Sequence, residues 1–309
     1  MNKKLTIKKV LIIGSKGFIG SNLVQYLKNK ELEVYGADVV VDYISTNYFL
    51  IDASNSYFHK IFENNEFDIC INCSGAASVP DSIQHPLRDF SLNSVNGFKL
   101  LDAIKTYQPS CKYINLSSAA VYGNPTKLPI TEDIPPNPVS PYGVHKMMSE
   151  QICKEYAQFF GISTCSLRIF SAYGEGLQKQ LFWDLYQKTK SGKEISLWGT
   201  GRESRDFIYI KDLVNAIYII AVNADFNGRT INIANGEEVY IEDCVSTFYN
   251  FFDKNVNYRF SGEGRKGDPN NWVADISELK SLGYRQKYSL QDGLEHYYQW
   301  VKKSKDGSR

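Results

Sequence analysis

Short apolar runs alternate with helical stretches through the first half of the chain. The runs are KKVLIIG, LEVYGAD, FLIDAS, FDICINCSG, CKYINLSS and ISTCSLRIF. Helical stretches lie from Phe18 to Asn29, from about Pro86 to Tyr107 and from about Pro141 to Phe160. Parallel strands need such crossovers, so the alternation predicts an α/β fold with a parallel sheet of about six strands covered by helices.

Beyond Ser171 the regular order breaks into short pieces. They are a helical QKQLFWDLYQKTK, a short ISLW, the turn GTGRES, the run DFIYI, a helix from about Lys211 to Asn223, the run TINIAN, a helix near Ile241 to Phe252, the loop SGEGRKGDP and a helix around Leu290 to Lys302. We expect a cofactor domain of residues 1–170 plus about 207–234. A smaller mixed α/β substrate domain should comprise 171–206 plus about 235–309.

Charge and apolar content narrow the classes of partner. The 309 residues include 35 lysines and arginines against 34 aspartates and glutamates, a net charge of +1. This balance gives no bulk field for nucleic acid or an anionic membrane, so any anion must be held locally. The apolar run Val10 to Ile13 is too short for a signal sequence, and no run reaches the roughly 18 apolar residues of a membrane span. We expect a cytoplasmic protein that binds neither nucleic acid nor a membrane.

The six cysteines are scattered, which is a poor disulfide framework. Cys70 and Cys73 form a CxxC pair, but the pair lies in the apolar run DICINCSG and no second pair follows it. A zinc site needs more ligands than this. We therefore interpret both cysteines as core residues and expect no metal.

The sequence GSKGFIG follows the first strand and opens the first helix, with Gly14, Gly17 and Gly20 as its glycines. Glycines at such a turn let the backbone approach a pyrophosphate, which the N–H groups of the helix N-terminus then hold. Asp38 ends the next strand 18 residues beyond Gly20, where an acid meets the ribose hydroxyls. These features predict a doubly wound, dinucleotide-binding Rossmann sheet.

Asp38 also favours NAD over NADP, because its carboxylate repels a 2′-phosphate. The residues that follow it, VVVDYISTN, supply no arginine or lysine to attract one. NAD is therefore the expected cofactor.

In SPYGVHK, Tyr142 and Lys146 lie four residues apart on one helical face, and Ser140 and Pro141 suit the start of that helix. An ammonium beside a phenol favours the phenolate, so we expect the pKa of Tyr142 to fall toward neutrality and the residue to act as a base. The strand YINLSS ends at Ser117 and Ser118, and we choose Ser118 as the hydroxyl that hydrogen-bonds a reacting substrate oxygen.

Together and in this order, GSKGFIG, Asp38, SSAAVYG, YGVHK and RDFIYIKD resemble the extended short-chain dehydrogenase/reductases. The resemblance is specifically to the nucleotide-sugar epimerase/dehydratase family typified by UDP-galactose 4-epimerase, and it runs from about Lys9 to Val301. It implies that Ser118, Tyr142 and Lys146 form the catalytic triad, with Lys146 also holding the nicotinamide ribose.

The same resemblance implies the remaining site residues. The cofactor-binding set is Gly14, Gly17, Phe18, Ile19, Gly20, Asp38, Asp52, Ala53, Cys73, Ser74, Gly75, Ala76, Asn93, Tyr142 and Lys146. In that set, Asp52 lies near the adenine and Asn93 supports the active-site helix. The substrate-binding set is Ser78, Ser118, Ser171, Arg205 and Arg265, with both arginines on the diphosphate. Ser171 departs from the asparagine of many relatives, and Arg168 is interpreted as a buried structural charge.

The residues after Ser118 bear on the reaction. Family dehydratases and decarboxylases carry an acidic side chain there, whereas Ala119 and Ala120 transfer no proton. We therefore expect a 4-epimerase that oxidises C4 of a nucleotide-diphosphate sugar transiently. A 4-dehydrogenase or ketoreductase stays open as an alternative, and a 4,6-dehydratase ranks lower. Because Tyr142 and Lys146 are both present, a non-enzymatic dinucleotide-binding role is disfavoured. The resemblance also implies a homodimer formed through the helices of 86–107 and 141–160, and a place in carbohydrate metabolism such as polysaccharide biosynthesis.

Overall fold

A computed structural model describes residues 7–190, 194–253, 255–264 and 269–306. The strands are β1 (Lys9–Ile13), β2 (Glu33–Asp38), β3 (Tyr48–Leu50), β4 (Ile69–Asn72), β5 (Lys112–Ser118), β6 (Thr164–Ile169), β7 (Ser171–Tyr173), β8 (Ile195–Leu197), β9 (Ser204–Arg205), β10 (Phe207–Tyr209), β11 (Arg229–Ile233), β12 (Val239–Tyr240) and β13 (Tyr258–Phe260).

The α-helices are α1 (Phe18–Lys28), α2 (His59–Glu63), α3 (Val79–Gln84), α4 (Pro86–Phe90), α5 (Asn96–Tyr107), α6 (Pro141–Phe160), α7 (Gln180–Thr189), α8 (Ile210–Asn223), α9 (Ile241–Tyr249), α10 (Ser277–Ser281) and α11 (Leu290–Asp306). A π-helical turn spans Ser91–Val95 and a 3-10 turn spans Ala119–Tyr122. No helix in the described part of the chain is long and apolar enough to cross a membrane.

Seven strands form one parallel sheet in the order β11-β6-β5-β4-β1-β2-β3. The order reverses beside β1, as in doubly wound dinucleotide-binding folds, so the predicted Rossmann class is confirmed. The sheet has one strand more than the first half of the sequence indicated, because β11 (TINIAN) pairs with β6 in parallel. This strand returns from the second half of the chain to extend the cofactor-side sheet.

Both faces of the sheet are buried. Along β1, Val10 and Ile12 belong to one buried apolar cluster, while Leu11 and Ile13 belong to a second. Side chains alternate between the two faces of a strand, so each face of the sheet has its own core. This explains why the first-half strands are continuous apolar runs rather than alternating ones.

In the described part of the chain, three two-stranded sheets lie outside the main sheet. They pair β7 with β10 and β8 with β13 in parallel, and β9 with β12 in antiparallel fashion. All of these strands come after Ile169. The division into the two domains proposed above stays a prediction.

Helix α6 has the predicted bounds. Ser140 caps it, since its Oγ accepts a hydrogen bond from Gly143 N at 3.2 Å, and Pro141 occupies its first turn. The helix predicted from about Pro86 to Tyr107 has those bounds, and a π-helical turn at Ser91–Val95 joins its two α-helical parts, α4 and α5. That wider turn carries the polar Asn93 and Ser94 into the interior, where Ser94 Oγ donates to the His145 carbonyl at 2.9 Å.

Candidate active site

The glycine turn is packed so tightly that only glycine fits at two of its positions. A Cβ on Gly20 would lie 2.1 Å from the Gly14 carbonyl oxygen. Gly14 itself has φ +76°, and a Cβ on it would lie 2.7 Å from Ser74 N in the neighbouring loop. The turn therefore presents bare backbone at the carboxyl ends of β1 and β4, as the sequence predicted for a pyrophosphate site.

Helix α1 begins directly after this turn. Gly17 is its N-cap residue and has no side chain to accept a hydrogen bond from the first turn, and that turn carries no acidic residue. Phe18 and Ile19 lie in that turn and are half-buried. The free N–H groups and the positive end of the helix dipole suit an anionic diphosphate.

Asp38 ends β2 beside the glycine turn, and its carboxylate is held by backbone. Its Oδ2 accepts from Lys16 N at 2.8 Å, and its Oδ1 accepts from Val39 N at 2.7 Å. This geometry fixes an acidic group at the position expected for ribose recognition. Asp52 and Ala53 are exposed in the loop after β3, where Asp52 Oδ1 accepts from Ser54 N at 2.8 Å.

The proposed triad lies at the carboxyl end of β5 and the start of α6. Ser118 ends β5, and its Oγ accepts from Ala120 N at 3.2 Å and is hydrogen-bonded to the Tyr142 hydroxyl. Lys146 is buried one helical turn beyond Tyr142, and its Nζ donates to the Leu116 carbonyl at 2.8 Å. The structure thus brings the three predicted side chains together.

The predicted pKa of Tyr142 near neutrality is wrong for the protein groups alone. Burial raises the pKa of Tyr142 to about 12, although the hydrogen bond with Ser118 lowers it. The Lys146 ammonium points at the Leu116 carbonyl and lies 5.9 Å from the centre of the tyrosine ring. Burial also lowers the pKa of Lys146 to about 8, with Asp89 acting in the opposite direction. Spacing on a helix face indicated the pair correctly but did not account for the cost of burying charge.

Asn93 is a buried amide beside the lysine. Neither its Oδ1 nor its Nδ2 has a hydrogen-bond partner among the residues that the structure describes. A Cβ on Gly75 would lie 2.5 Å from Asn93 Oδ1 and 3.5 Å from Lys146 Nζ, so all three residues meet at one point. Because buried polar atoms normally have hydrogen-bond partners, this amide is suited to bind a group that is not part of the protein chain. Cys73, Ser74 and Ala76, in the same loop as Gly75, are half-buried.

A buried ion pair positions α6 against the sheet. Arg168 on β6 makes two hydrogen bonds to Glu150 on α6, Nε to Oε1 at 2.9 Å and Nη2 to Oε2 at 2.8 Å. Ser117, next to Ser118 on β5, donates to Glu150 Oε1 at 2.6 Å. The interpretation of Arg168 as a structural charge is confirmed, and its partner Glu150 was not found by sequence.

The predicted substrate residues occupy several loops. Ser78 caps α3, its Oγ accepting from Asp81 N at 3.2 Å, and Ser171 is half-buried at the start of β7. The Arg205 guanidinium lies 5.7 Å from the Trp272 ring centre, and Trp272 Nε1 donates to the Gly123 carbonyl at 3.0 Å. This chain of contacts links Arg205 to the loop just after Ser118. Arg265 lies outside the described residues.

Two further contacts were missed by sequence reasoning. Ser82 on α3 accepts from Tyr142 N at 3.1 Å and so joins the start of α6 to α3. Lys16 in the glycine turn forms an ion pair with Asp42. The cysteines are all free thiols, and within the described ranges no three His, Cys, Asp or Glu side chains group as a metal site.

Comparison with known proteins identifies the family. The family model described as NAD dependent epimerase/dehydratase family matches residues 10–234. The chain is 30% identical over 307 residues to an uncharacterized UDP-glucose epimerase of Bacillus subtilis (strain 168), covering 93% of this chain and 95% of that one. It is 28% identical to a UDP-glucose 4-epimerase of Lactobacillus helveticus, covering 97% and 98% of the two chains.

Solved structures agree with this result. UDP-glucuronic acid 4-epimerase from Bacillus cereus, crystallised with UDP-glucuronic acid and NAD, superposes with a TM-score of 0.87 at 29% identity and covers 96% of this chain and 99% of its own. UDP-N-acetylglucosamine 4-epimerase from Methanobrevibacter ruminantium M1 gives 0.87 at 25% identity, with coverages of 97% and 100%. The chain belongs to the NAD-dependent epimerase/dehydratase family. It is an NAD-dependent enzyme of the epimerase type, and the bare glycine turn and the unpaired Asn93 amide fit that cofactor.

Proposed function

We propose that this enzyme is a nucleotide-sugar 4-epimerase that acts by transient oxidation at C4. The observation that carries the proposal is the turn after Ser118. Ala119 and Ala120 are both buried there, next to the triad, and neither side chain can donate or accept a proton. Elimination of water or loss of a carboxyl group needs a further acid or base. Oxidation of one carbon followed by its reduction needs no acid or base beyond the triad.

The chain's own residues would handle the proton. Tyr142, as phenolate, would remove the proton of the sugar C4 hydroxyl, and Ser118 Oγ would hydrogen-bond the same oxygen as it becomes a carbonyl. The bound dinucleotide supplies a reversible acceptor for the hydride from C4. After the keto sugar turns its other face, Tyr142 would return the proton to the new hydroxyl. The Lys146 ammonium, 5.9 Å from the centre of the Tyr142 ring, would stabilise the phenolate through its positive charge.

The substrate we propose is a nucleotide-diphosphate sugar. Arg205 would bind the diphosphate, because guanidinium groups form paired hydrogen bonds with phosphate oxygens. Its contacts lead through Trp272 to Gly123, which keeps the arginine next to the loop that begins at Ser118. Arg265, Ser78 and Ser171 stay predicted contacts. The relatives named for UDP-sugars support this class of substrate.

The alternative is a 4-dehydrogenase or ketoreductase, which uses the same triad. The two reactions differ in the fate of the cofactor. A purified epimerase turns over a nucleotide sugar without net change in NAD, whereas a dehydrogenase converts NAD in proportion to the sugar.

A panel of nucleotide sugars distinguishes these reactions. The enzyme is incubated with each sugar, absorbance at the NADH wavelength is followed, and product stereochemistry is read by NMR. We expect a C4-inverted product without net NADH, and its loss in Tyr142→Phe, since the phenol is the only base we assign. Unchanged turnover in Tyr142→Phe, or NADH formed in proportion to product, contradicts the proposal.

A homodimer is part of the proposal. The helices α4, α5 and α6 expose large apolar side chains that suit an interface, namely Leu87, Phe98, Phe159 and Phe160. Sedimentation or light scattering of the purified protein tests this, with a monomer as the contrary result. A cytoplasmic location and a place in polysaccharide biosynthesis stay predictions.

A further inference from the structure

Three charged residues lie together beside the glycine turn, where the sequence places the ribose of the cofactor. Asp38 ends β2, Lys16 belongs to the glycine turn, and Asp42 follows in the loop after β2. The backbone N–H of Lys16 donates to Asp38 Oδ2 at 2.8 Å, while its ammonium pairs with Asp42. Lys16 therefore connects the two carboxylates: its main chain contacts Asp38 and its side chain contacts Asp42.

Asp42 is held in place to make this pair. Its Oδ1 accepts from Ile44 N at 2.8 Å and from Ser45 N at 3.1 Å, which leaves Oδ2 for the Lys16 ammonium. Lys16 Nζ also lies 5.2 Å from the centre of the Tyr48 ring, and the Tyr48 hydroxyl donates to the Val40 carbonyl. The loop from β2 to β3 is thus built around the lysine side chain.

We propose that Asp42 is a specificity-determining residue for the cofactor: it takes up the charge of Lys16 and so keeps the enzyme selective for NAD over NADP. A 2′-phosphate at the adenosine ribose needs a nearby cation, and the site's acid alone repels it. Lys16 stands beside that acid, so a free Lys16 ammonium would offset the repulsion. With Asp42 paired to it, the three side chains together carry one net negative charge.

This inference rests on the dinucleotide lying on the glycine turn and does not depend on which sugar reaction follows. It also adds a cation to the explanation of why NAD is preferred over NADP. The residues after Asp38 contain no cation, but the glycine turn itself supplies one, and selectivity then depends on the carboxylate that neutralises it.

Binding of NAD and NADP to the purified protein, followed by calorimetry, tests the proposal. In Asp42→Asn the amide oxygen can still accept from Ile44 N and Ser45 N, so the loop conformation should survive while the charge is lost. We expect the affinity for NADP relative to NAD to rise about tenfold, as one unit of charge near a phosphate gives in partly solvated surroundings. The gain should shrink between 0.1 M and 1 M salt, because ions screen exposed charges.

The double variant Asp42→Asn/Lys16→Met identifies the cation. Its three positions again carry one net negative charge, so the NADP-to-NAD ratio should return to that of the wild type. The control is Asp184→Asn, which removes the aspartate of an ion pair on α7, Lys188 Nζ to Asp184 Oδ2 at 2.9 Å, and should leave the ratio unchanged.

An unchanged ratio in Asp42→Asn overturns the proposal, as does a gain that persists in the double variant. If Asp42→Asn is poorly folded by circular dichroism, Asp42→Ser removes the same charge and gives the same two outcomes. Wild-type protein that binds neither dinucleotide would instead contradict the cofactor site itself, so the two failures are distinguishable.

Discussion

Replacing Lys146 with methionine removes a buried ammonium and keeps most of the side-chain volume. Lys146 is 6% exposed, and burial lowers its pKa from 10.5 to about 8. Each pKa unit corresponds to about 1.4 kcal/mol, so the charged lysine costs the folded state about 3 kcal/mol relative to the unfolded chain. The Leu116 carbonyl loses its hydrogen bond in the variant, which costs about 1–3 kcal/mol at every pH.

The pH dependence separates these two effects. The folded pKa lies below the unfolded one, so between about pH 8 and 10.5 the unfolded chain binds more protons and the stability of the wild type rises with pH. Below about pH 8 both states are protonated and the full penalty applies. The stability of the variant relative to the wild type should therefore fall by about 2–3 kcal/mol from pH 7 to pH 10.

Urea denaturation of both proteins at these two pH values measures the difference directly. The variant should also lose nearly all turnover, because no ammonium remains to stabilise the Tyr142 phenolate. A stability difference that does not change with pH would show that Lys146 is not a buried charge of depressed pKa, and the electrostatic description of the site would be wrong.

Two further substitutions test the site. Gly20→Ala should lower NAD affinity at least tenfold by calorimetry, because its Cβ would lie 2.1 Å from the Gly14 carbonyl oxygen. The control Gly97→Ala should bind NAD normally, since the nearest atom to its Cβ would be 3.7 Å away. Equal NAD affinities in the two variants would show that the glycine turn is not packed this tightly. Ser118→Ala removes a hydrogen bond that lowers the pKa of Tyr142, so the pH–rate profile should move to higher pH and the rate at neutral pH should fall by about 100-fold. A pH–rate profile that does not shift would show that Ser118 does not influence the pKa of Tyr142.

Much of the fold could be predicted because its signals are local. Apolar runs give the central strands, and Ser140 with Pro141 marks the start of α6. The π-helical turn within residues 86–107 could not be predicted, because it depends on the tertiary packing that buries Asn93 and Ser94. β11 was hard to place since it joins the sheet from a distant part of the chain.

The candidate site divides in the same way. Glycine spacing and the Tyr142 and Lys146 pair are short motifs with a direct physical meaning. The ion pairs of Lys16 with Asp42 and of Glu150 with Arg168 span 26 and 18 residues, so only the fold brings them together. The pKa of Tyr142 likewise depends on burial, which spacing does not report.

In the proposed 4-epimerase reaction, one carbon of the sugar is oxidised and then reduced again. A nucleotide sugar that the enzyme accepts, carrying deuterium at C4, tests it most directly by mass spectrometry and NMR of the product. We expect the C4-inverted product to keep its deuterium at C4, and Tyr142→Phe to form none of this product. Deuterium found in external NADH, at another carbon or in a product that has lost water would contradict it.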